Sequence, residues 1–235
     1  MPCSKDRSRV AQDGRAYAGS QRQIQTYVNL QTDTLSASIT KALSLTENSR
    51  IVWVSPLASD SYNEYRDSEF LHVLGFTRLT PMLVKFWPRG GPCWDALAQI
   101  EREGRTVGCI LVEAKSHILE ICGSGCGAKG ASMQRILEAL TETKISLGVP
   151  QEAQWAGTLY QSANRYAHLH FLRAIGGIEA YLVNVYFVND PHSPTTVEEW
   201  KPAIHDVQRQ LGLATRPPYC AEVFLEAVQK ESSAK

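Results

Sequence analysis

Nine consecutive residues, 107–115 with the sequence VGCILVEAK, constrain the fold of this chain more than any other feature. Their apolar run is typical of a strand that is covered on both faces, yet it ends in a carboxylate and an amine. Because side chains alternate across a strand, Glu113 and Lys115 project from one face, with α-carbons about 6–7 Å apart. Burying either charge alone would be costly, so each needs a partner, a metal ion or exposure at the strand end.

Composition excludes several classes of protein. The chain has 235 residues, with 24 Lys+Arg balancing 24 Asp+Glu. It is long enough to bury a sizeable core without disulfides or a metal, so we expect its six scattered cysteines to be free thiols. A net charge of zero provides no global attraction for polyanions, so any nucleic-acid contact must come from a local patch. Short apolar runs and a polar N-terminus predict a cytoplasmic protein without membrane contact.

Helical and strand patterns alternate along the chain, which predicts an α/β fold with a mixed central sheet. We expect residues 1–22 to form a disordered tail and residues 23–230 to form a single domain, with fraying at the extreme C-terminus as well. Helices are predicted at 33–46, 60–74, 131–147, 158–174, 196–211 and 219–229, and strands at 51–54, 94–100, 107–115 and 181–188.

A second carboxylate lies in an apolar segment, since Asp95 precedes Glu113 by 18 positions. If 94–100 and 107–115 pair as an antiparallel hairpin, Asp95 lies beside Glu113. Two carboxylates and a lysine can bind a hard divalent cation and activate a water molecule. The alternative is a salt bridge between Glu113 and Lys115, with Asp95 capping a turn.

Asp95 followed by Glu113-Ala114-Lys115 resembles the motif of the PD-(D/E)xK phosphodiesterase superfamily, which includes many restriction and repair nucleases. The resemblance covers an α-β-β-β-α-β core, over roughly residues 59–188. The chain departs from the pattern because Cys-Trp-Asp replaces the usual Pro-Asp pair and because a Gly-rich loop and a helix are inserted over 123–147. The resemblance implies a restriction-endonuclease-like sheet with extra helices, and an Mg²⁺- or Mn²⁺-dependent nuclease acting on nucleic acid, with DNA favoured.

The resemblance also implies a role for each residue of the motif. Asp95, Glu113 and the carbonyl of Ala114 would hold one or two metal ions, while Lys115 would orient or deprotonate the attacking water. An upstream helical acid often completes the metal shell in this family. Glu64, on the predicted helix 60–74, is favoured for that position over Asp67.

The predicted helix 158–174 carries a polar stripe of Gln161, Asn164, Arg165 and His168 at helical spacing. In some nuclease families the corresponding helix contributes a glutamine, so Gln161 is expected to face the site. Arg165 would suit a phosphate. The alternative is that the whole stripe is a solvent-exposed face.

Two other functions remain open from the sequence. Four glycines between Gly123 and Gly130, running from a strand into a helix, suggest a nucleotide-binding loop, although no established phosphate-loop motif fits well. A catalytically inactive nuclease fold that serves as an interaction protein is the second alternative. Cys122 and Cys126 lack a second pair at zinc-ligand spacing. The sequence leaves the oligomeric state open, with a homodimer as one option.

Overall fold

Five strands form a single mixed sheet in the order β1-β2-β3-β4-β5. The structure is a computed structural model that describes Cys3 and residues 8–229. β2 pairs antiparallel with β1 and with β3, whereas β4 pairs in parallel with β3 and with β5. The mixed sheet predicted from the sequence is confirmed. The strands are β1 (Arg50–Ser55), β2 (Ala96–Arg102), β3 (Arg105–Lys115), β4 (Glu179–Val188) and β5 (Cys220–Glu226).

Helices cover both faces of the sheet. The first two helices pack on one face and the other five on the opposite face, so the domain has three layers around two apolar cores. No described helix has the length and apolar character that crossing a membrane requires. The helices are α1 (Gly19–Leu30), α2 (Thr32–Leu43), α3 (Asp67–Val73), α4 (Thr80–Phe86), α5 (Gly130–Leu147), α6 (Tyr160–His170) and α7 (Val197–Gln210).

Strand β3 is the middle strand, as its apolar sequence predicts. Its residues from Gly108 to Ala114 are buried. The expected antiparallel pairing of β2 with β3 is confirmed, with Ala96 opposite Val112 and Leu97 opposite Leu111. This register brings the segment just before β2 to the end of β3. Asp95 therefore lies at the level of the Glu113–Lys115 pair.

The prediction of a helix over 219–229 is wrong, because most of this segment is β5. Side chains alternate along it: Ala221, Val223 and Leu225 enter the core beneath α1 and α2, while Glu222 and Phe224 are only partly buried on the other face. β5 is held in place by backbone pairing with the part of β4 from Leu182 to Val188. A short apolar segment fits a helix or a strand by its pattern, and here the free edge of β4 decides the outcome.

The predicted tail over residues 1–22 contains ordered structure where it is described. Residues 1, 2 and 4–7, like 230–235 at the other end, lie outside the described residues. Val10 pairs with Ala16, and the buried side chain of Gln25 bonds the backbone of Ala16 and Gly14. The side chain of Gln25 thus holds this segment against α1, and an apolar pattern cannot reveal such contacts.

The predicted helix 60–74 is broken. Ser61 and Tyr62 both adopt the left-handed backbone conformation, which ends the short turn Ala58–Asp60, and α3 begins only at Asp67. The α-β-β-β-α-β order in the structure also begins earlier than residue 59. It runs through α2, β1, β2, β3, α6 and β4, with α3 and α4 inserted between β1 and β2 and α5 inserted before α6.

The cysteines differ from the expectation of free thiols at one pair. Cys3 and Cys93 form a disulfide, which joins the N-terminal segment to the loop before β2. Cys109, Cys122, Cys126 and Cys220 are free.

Candidate active site

A cavity of about 380 Å³ opens where β3 ends and β2 begins. Five of the six residues predicted from the sequence to form the site line this cavity, and they come from four separate parts of the chain. These five are Glu64, Asp95, Ala114, Lys115 and Gln161. The sixth, Glu113, lies beside the cavity and lines a smaller one of about 30 Å³ on the side of α6.

Asp95 is tied directly to the end of β3. Its Oδ2 accepts a hydrogen bond of 2.7 Å from the backbone N–H of Ala114. Burial raises the pKa of the Asp95 carboxyl well above its usual range, and the nearby charges of Glu113 and Glu64 raise it further. Lys115 and the Ala114 N–H act in the opposite direction without cancelling this effect. The charges of Glu113 and Glu64 therefore both act on Asp95.

Glu113 is held between two cations. Its Oε1 lies 2.6 Å from the Lys115 ammonium, and its Oε2 lies 2.5 Å from a terminal nitrogen of Arg165. Burial alone would raise the pKa of Glu113, but Arg165 and then Lys115 lower it below its ordinary value. Glu113 is thus an anion in the folded protein, as the salt-bridge alternative required.

Lys115 is held in its cationic form. Burial would lower the pKa of its ammonium, yet Glu113 and Asp95 raise it above its ordinary value. The Nζ also donates a hydrogen bond of 3.0 Å to Oε1 of Gln161 on α6. Gln161 therefore faces the site and orients the lysine at the rim of the cavity.

The polar stripe of α6 is mostly buried, so its interpretation as a solvent-exposed face is wrong. Asn164, Arg165 and His168 are buried. His168 packs among aromatic rings such as Trp87 and Trp94, and burial lowers its pKa to about 4. Arg165 does not line the large cavity, and its guanidinium bonds protein atoms instead. The structure does not support the expectation that it binds a phosphate.

Glu64 reaches the cavity from an extended segment before α3, and not from a helix as expected. Its Oε1 accepts a hydrogen bond of 2.8 Å from the side-chain amide of Gln21 on α1. The hydrogen bond from Gln21 sets the orientation of Glu64. Asp67, the weaker sequence candidate, accepts hydrogen bonds from the N–H groups of Gly90 and Gly91 and does not line the cavity.

Sequence reasoning missed several residues that line the cavity. Ser20 and Gln21 lie in the first turn of α1, within the segment 1–22 that was predicted to be a tail. Glu120 follows β3 and accepts the backbone N–H of Ser116 at 2.9 Å, while His117 lies 3.3 Å from its other oxygen. The short distance along the chain from Lys115 was the available signal for Glu120. Nothing in the sequence pattern indicated Gln21.

The donor set fits a magnesium or manganese ion that keeps several water ligands. Such an ion is held in proteins by one or two carboxylates, and the repulsion among Asp95, Glu113 and Glu64 is the kind that a divalent cation relieves. Among the described residues, no group of three or more His, Cys, Asp or Glu side chains is arranged to enclose a metal ion. A closed site of the zinc type is therefore not built within the described part of the chain.

Two backbone donors of the Gly-rich loop are used within the protein. The N–H of Gly123 donates to the carbonyl of Thr158, and the N–H of Cys126 donates to the carbonyl of Ala156. These two bonds hold the loop against the segment before α6. The nucleotide-binding alternative stays a prediction.

Comparison of the chain with models of protein families, with curated proteins and with solved structures found no match. The function must therefore be inferred from the residues of the chain itself.

Proposed function

We propose that this protein is a metal-dependent phosphodiesterase that hydrolyses nucleic acid, with DNA as the favoured substrate. One observation carries the proposal: the Asp95 carboxylate and the Lys115 ammonium line one open cavity, and Glu113 contacts that ammonium at 2.6 Å. Metal-dependent phosphodiester hydrolysis uses an anionic pocket for a divalent ion next to a cation that stabilises the phosphoryl oxygens.

The order of elements supports the same proposal. An α-β-β-β-α-β succession underlies the nuclease superfamily that the motif resembles, and α2, β1, β2, β3, α6 and β4 follow it. Asp95 lies at the start of β2 and the Glu113–Lys115 pair at the end of β3, as the resemblance requires. Because one fold can host many functions, this similarity is secondary to the site itself.

Mg²⁺ or Mn²⁺ would be held by Asp95, Glu113 and the carbonyl of Ala114, and Glu64 lines the same cavity. A bound ion of this kind polarises the scissile phosphate and lowers the pKa of a coordinated water. Glu113 already contacts two cations, so we assign Asp95 as the principal carboxylate ligand.

Lys115 would act as a cation, since Glu113 and Asp95 raise its pKa. It would orient the attacking water and stabilise negative charge on the phosphoryl oxygens. Gln161 would keep the ammonium at the rim of the cavity through its hydrogen bond.

A cleavage assay tests the proposal. The wild type and Lys115→Ala are incubated with single-stranded, double-stranded and flapped DNA and with RNA, in Mg²⁺ and in Mn²⁺. We expect cleavage by the wild type and a loss of at least about 100-fold in Lys115→Ala. Lys144→Ala is the matched control, because Lys144 is also a buried lysine that bonds backbone oxygen but does not line the cavity. Equal cleavage by both variants would contradict the proposal.

One observation favours the alternative of an inactive nuclease fold that serves as an interaction protein. Both oxygens of Glu113 already contact cations, so its charge is balanced without a metal ion. An inactive protein would bind no Mn²⁺ at the cavity and cleave none of these substrates.

A further inference from the structure

The buried guanidinium of Arg165 touches both halves of the candidate site. Nε and a terminal nitrogen contact Oε2 of Glu113 at 2.6 and 2.5 Å, at the end of β3. The same terminal nitrogen donates a hydrogen bond of 3.0 Å to the carbonyl of Cys93, two residues before Asp95. One planar group thus connects the glutamate of one strand to the segment that carries the aspartate of the next.

The guanidinium itself is fixed by its surroundings. Its remaining terminal nitrogen donates a hydrogen bond of 2.8 Å to Oδ1 of Asn164, and its carbon lies 5.0 Å from the centre of the Trp94 ring. Only 5% of Arg165 is exposed. A rigid fork of donors that is fully engaged transmits position between the groups it touches, which a lysine at this site could not do.

We propose that Arg165 is a positioning residue that sets the place of Asp95 relative to Glu113. This inference deepens the proposed function, because it concerns the same site. Arg165 holds the carbonyl of Cys93, the chain between Cys93 and Asp95 is short, and the Asp95 carboxylate in turn accepts the N–H of Ala114 at 2.7 Å. Loss of the fork should free the aspartate from the end of β3 while leaving the sheet intact.

The backbone N–H of Ala114 provides a readout that needs neither metal nor substrate. Its acceptor is the Asp95 side chain, so its hydrogen-exchange rate reports whether the aspartate is in place. In Arg165→Lys we expect exchange at Ala114 to become at least tenfold faster, relative to the amide of Leu111 in the middle of β3. Asn164→Ala, a milder change that removes one acceptor of the guanidinium, should accelerate it about threefold.

Arg173→Lys is the matched control. Arg173 also donates to a backbone carbonyl, that of Ala180, and lies over the ring of Tyr219, but it does not line the candidate cavity. We expect no specific change at Ala114 in this variant. Unchanged relative exchange at Ala114 in both Arg165→Lys and Asn164→Ala would overturn the positioning role.

Mn²⁺ binding and steady-state kinetics separate this inference from the proposed function. In Arg165→Lys we expect Mn²⁺ affinity to fall about tenfold. We also expect kcat to fall while KM stays within about twofold of the wild-type value, since positioning groups act on ligand geometry. If the wild type binds no Mn²⁺ but exchange at Ala114 accelerates in the variant, the positioning role stands and the proposed function fails. If the wild type binds Mn²⁺ and cleaves nucleic acid, and the variant changes neither affinity nor exchange, the proposed function stands and the positioning role fails.

Discussion

The Asp95 carboxylate accepts a hydrogen bond from the backbone N–H of Ala114, the residue that separates Glu113 from Lys115. This bond closes the β2–β3 hairpin at its open end, opposite the turn that connects the two strands. It places an acid from one strand beside an acid and a lysine from the next. The fold therefore buries Asp95 near the charges of Glu113 and Glu64, so ionisation of this carboxyl is unfavourable in the folded protein.

Replacing Asp95 with asparagine should stabilise the protein in the absence of divalent metal. The folded-state pKa of Asp95 is raised, so its ionisation is favourable in the unfolded chain and costly in the folded one. The amide oxygen of Asn can still accept the Ala114 N–H. We expect the free energy of unfolding of Asp95→Asn to exceed that of the wild type at pH 8, with a smaller difference at pH 4, as measured by urea denaturation. Asp67→Asn also replaces a carboxylate that accepts backbone N–H groups, and it should give no such gain. Equal behaviour of the two variants would contradict this account.

Replacing Glu113 with glutamine should have the opposite effect. Glu113 is 5% exposed and is the shared anion of Lys115 and Arg165, so its loss leaves two buried cations unpaired. We expect a loss of about 3–5 kcal/mol at neutral pH. Because the folded-state pKa of Glu113 is lowered, the difference from the wild type should shrink as the pH falls through that pKa.

Glu179→Gln is the control for this measurement. Glu179 also forms a two-bond pair with an arginine, Arg102, but in a partly exposed position. A loss of about 1 kcal/mol or less is expected there. A similar small loss in Glu113→Gln would show that the ion pairs of Glu113 with Lys115 and Arg165 contribute no more to the free energy of unfolding than a surface pair does.

His168 should make stability depend on pH in the mildly acidic range. Burial keeps the ring neutral and lowers its pKa to about 4, whereas the unfolded chain takes up a proton near pH 6.5. The stabilisation is complete above pH 6.5 and is lost as the pH falls towards 4, a total of about 3 kcal/mol. We expect His168→Gln to show a flatter dependence between pH 7 and 5 in urea denaturation, while the exposed His205→Gln retains the wild-type slope.

The predictable part of the fold lies where the pattern is strong. A run of apolar residues predicts strand β3. Two such runs on either side of the charged turn near Gly104 predict its hairpin with β2. Strand β5 and helix α1 were missed because their placement depends on tertiary contacts. The edge of β4 pairs with β5, while two buried glutamines of α1 bond other parts of the chain: Gln25 bonds Ala16 in the N-terminal segment, and Gln23 bonds Val228 after β5.

The candidate site divides in the same way. The sequence alone identifies the charged residues that lie in apolar segments, which are Asp95, Glu113 and Lys115. The register of the hairpin then predicts that they lie close together. The partner of Glu113 does not stand out, because Arg165 lies 52 positions later on a helix whose polar stripe resembles a solvent-exposed face. Contacts across the whole domain decide which face of α6 packs on β3. The local periodicity of the helix sequence does not predict that face.

The most direct measurement for the metal-dependent site is diffraction from crystals soaked in Mn²⁺, recorded at a wavelength where manganese scatters anomalously. The proposal predicts a peak in the cavity in contact with the Asp95 carboxylate, and its loss in crystals of Asp95→Asn. A wild-type crystal that shows no peak in this cavity, or the same peak in both proteins, would contradict it.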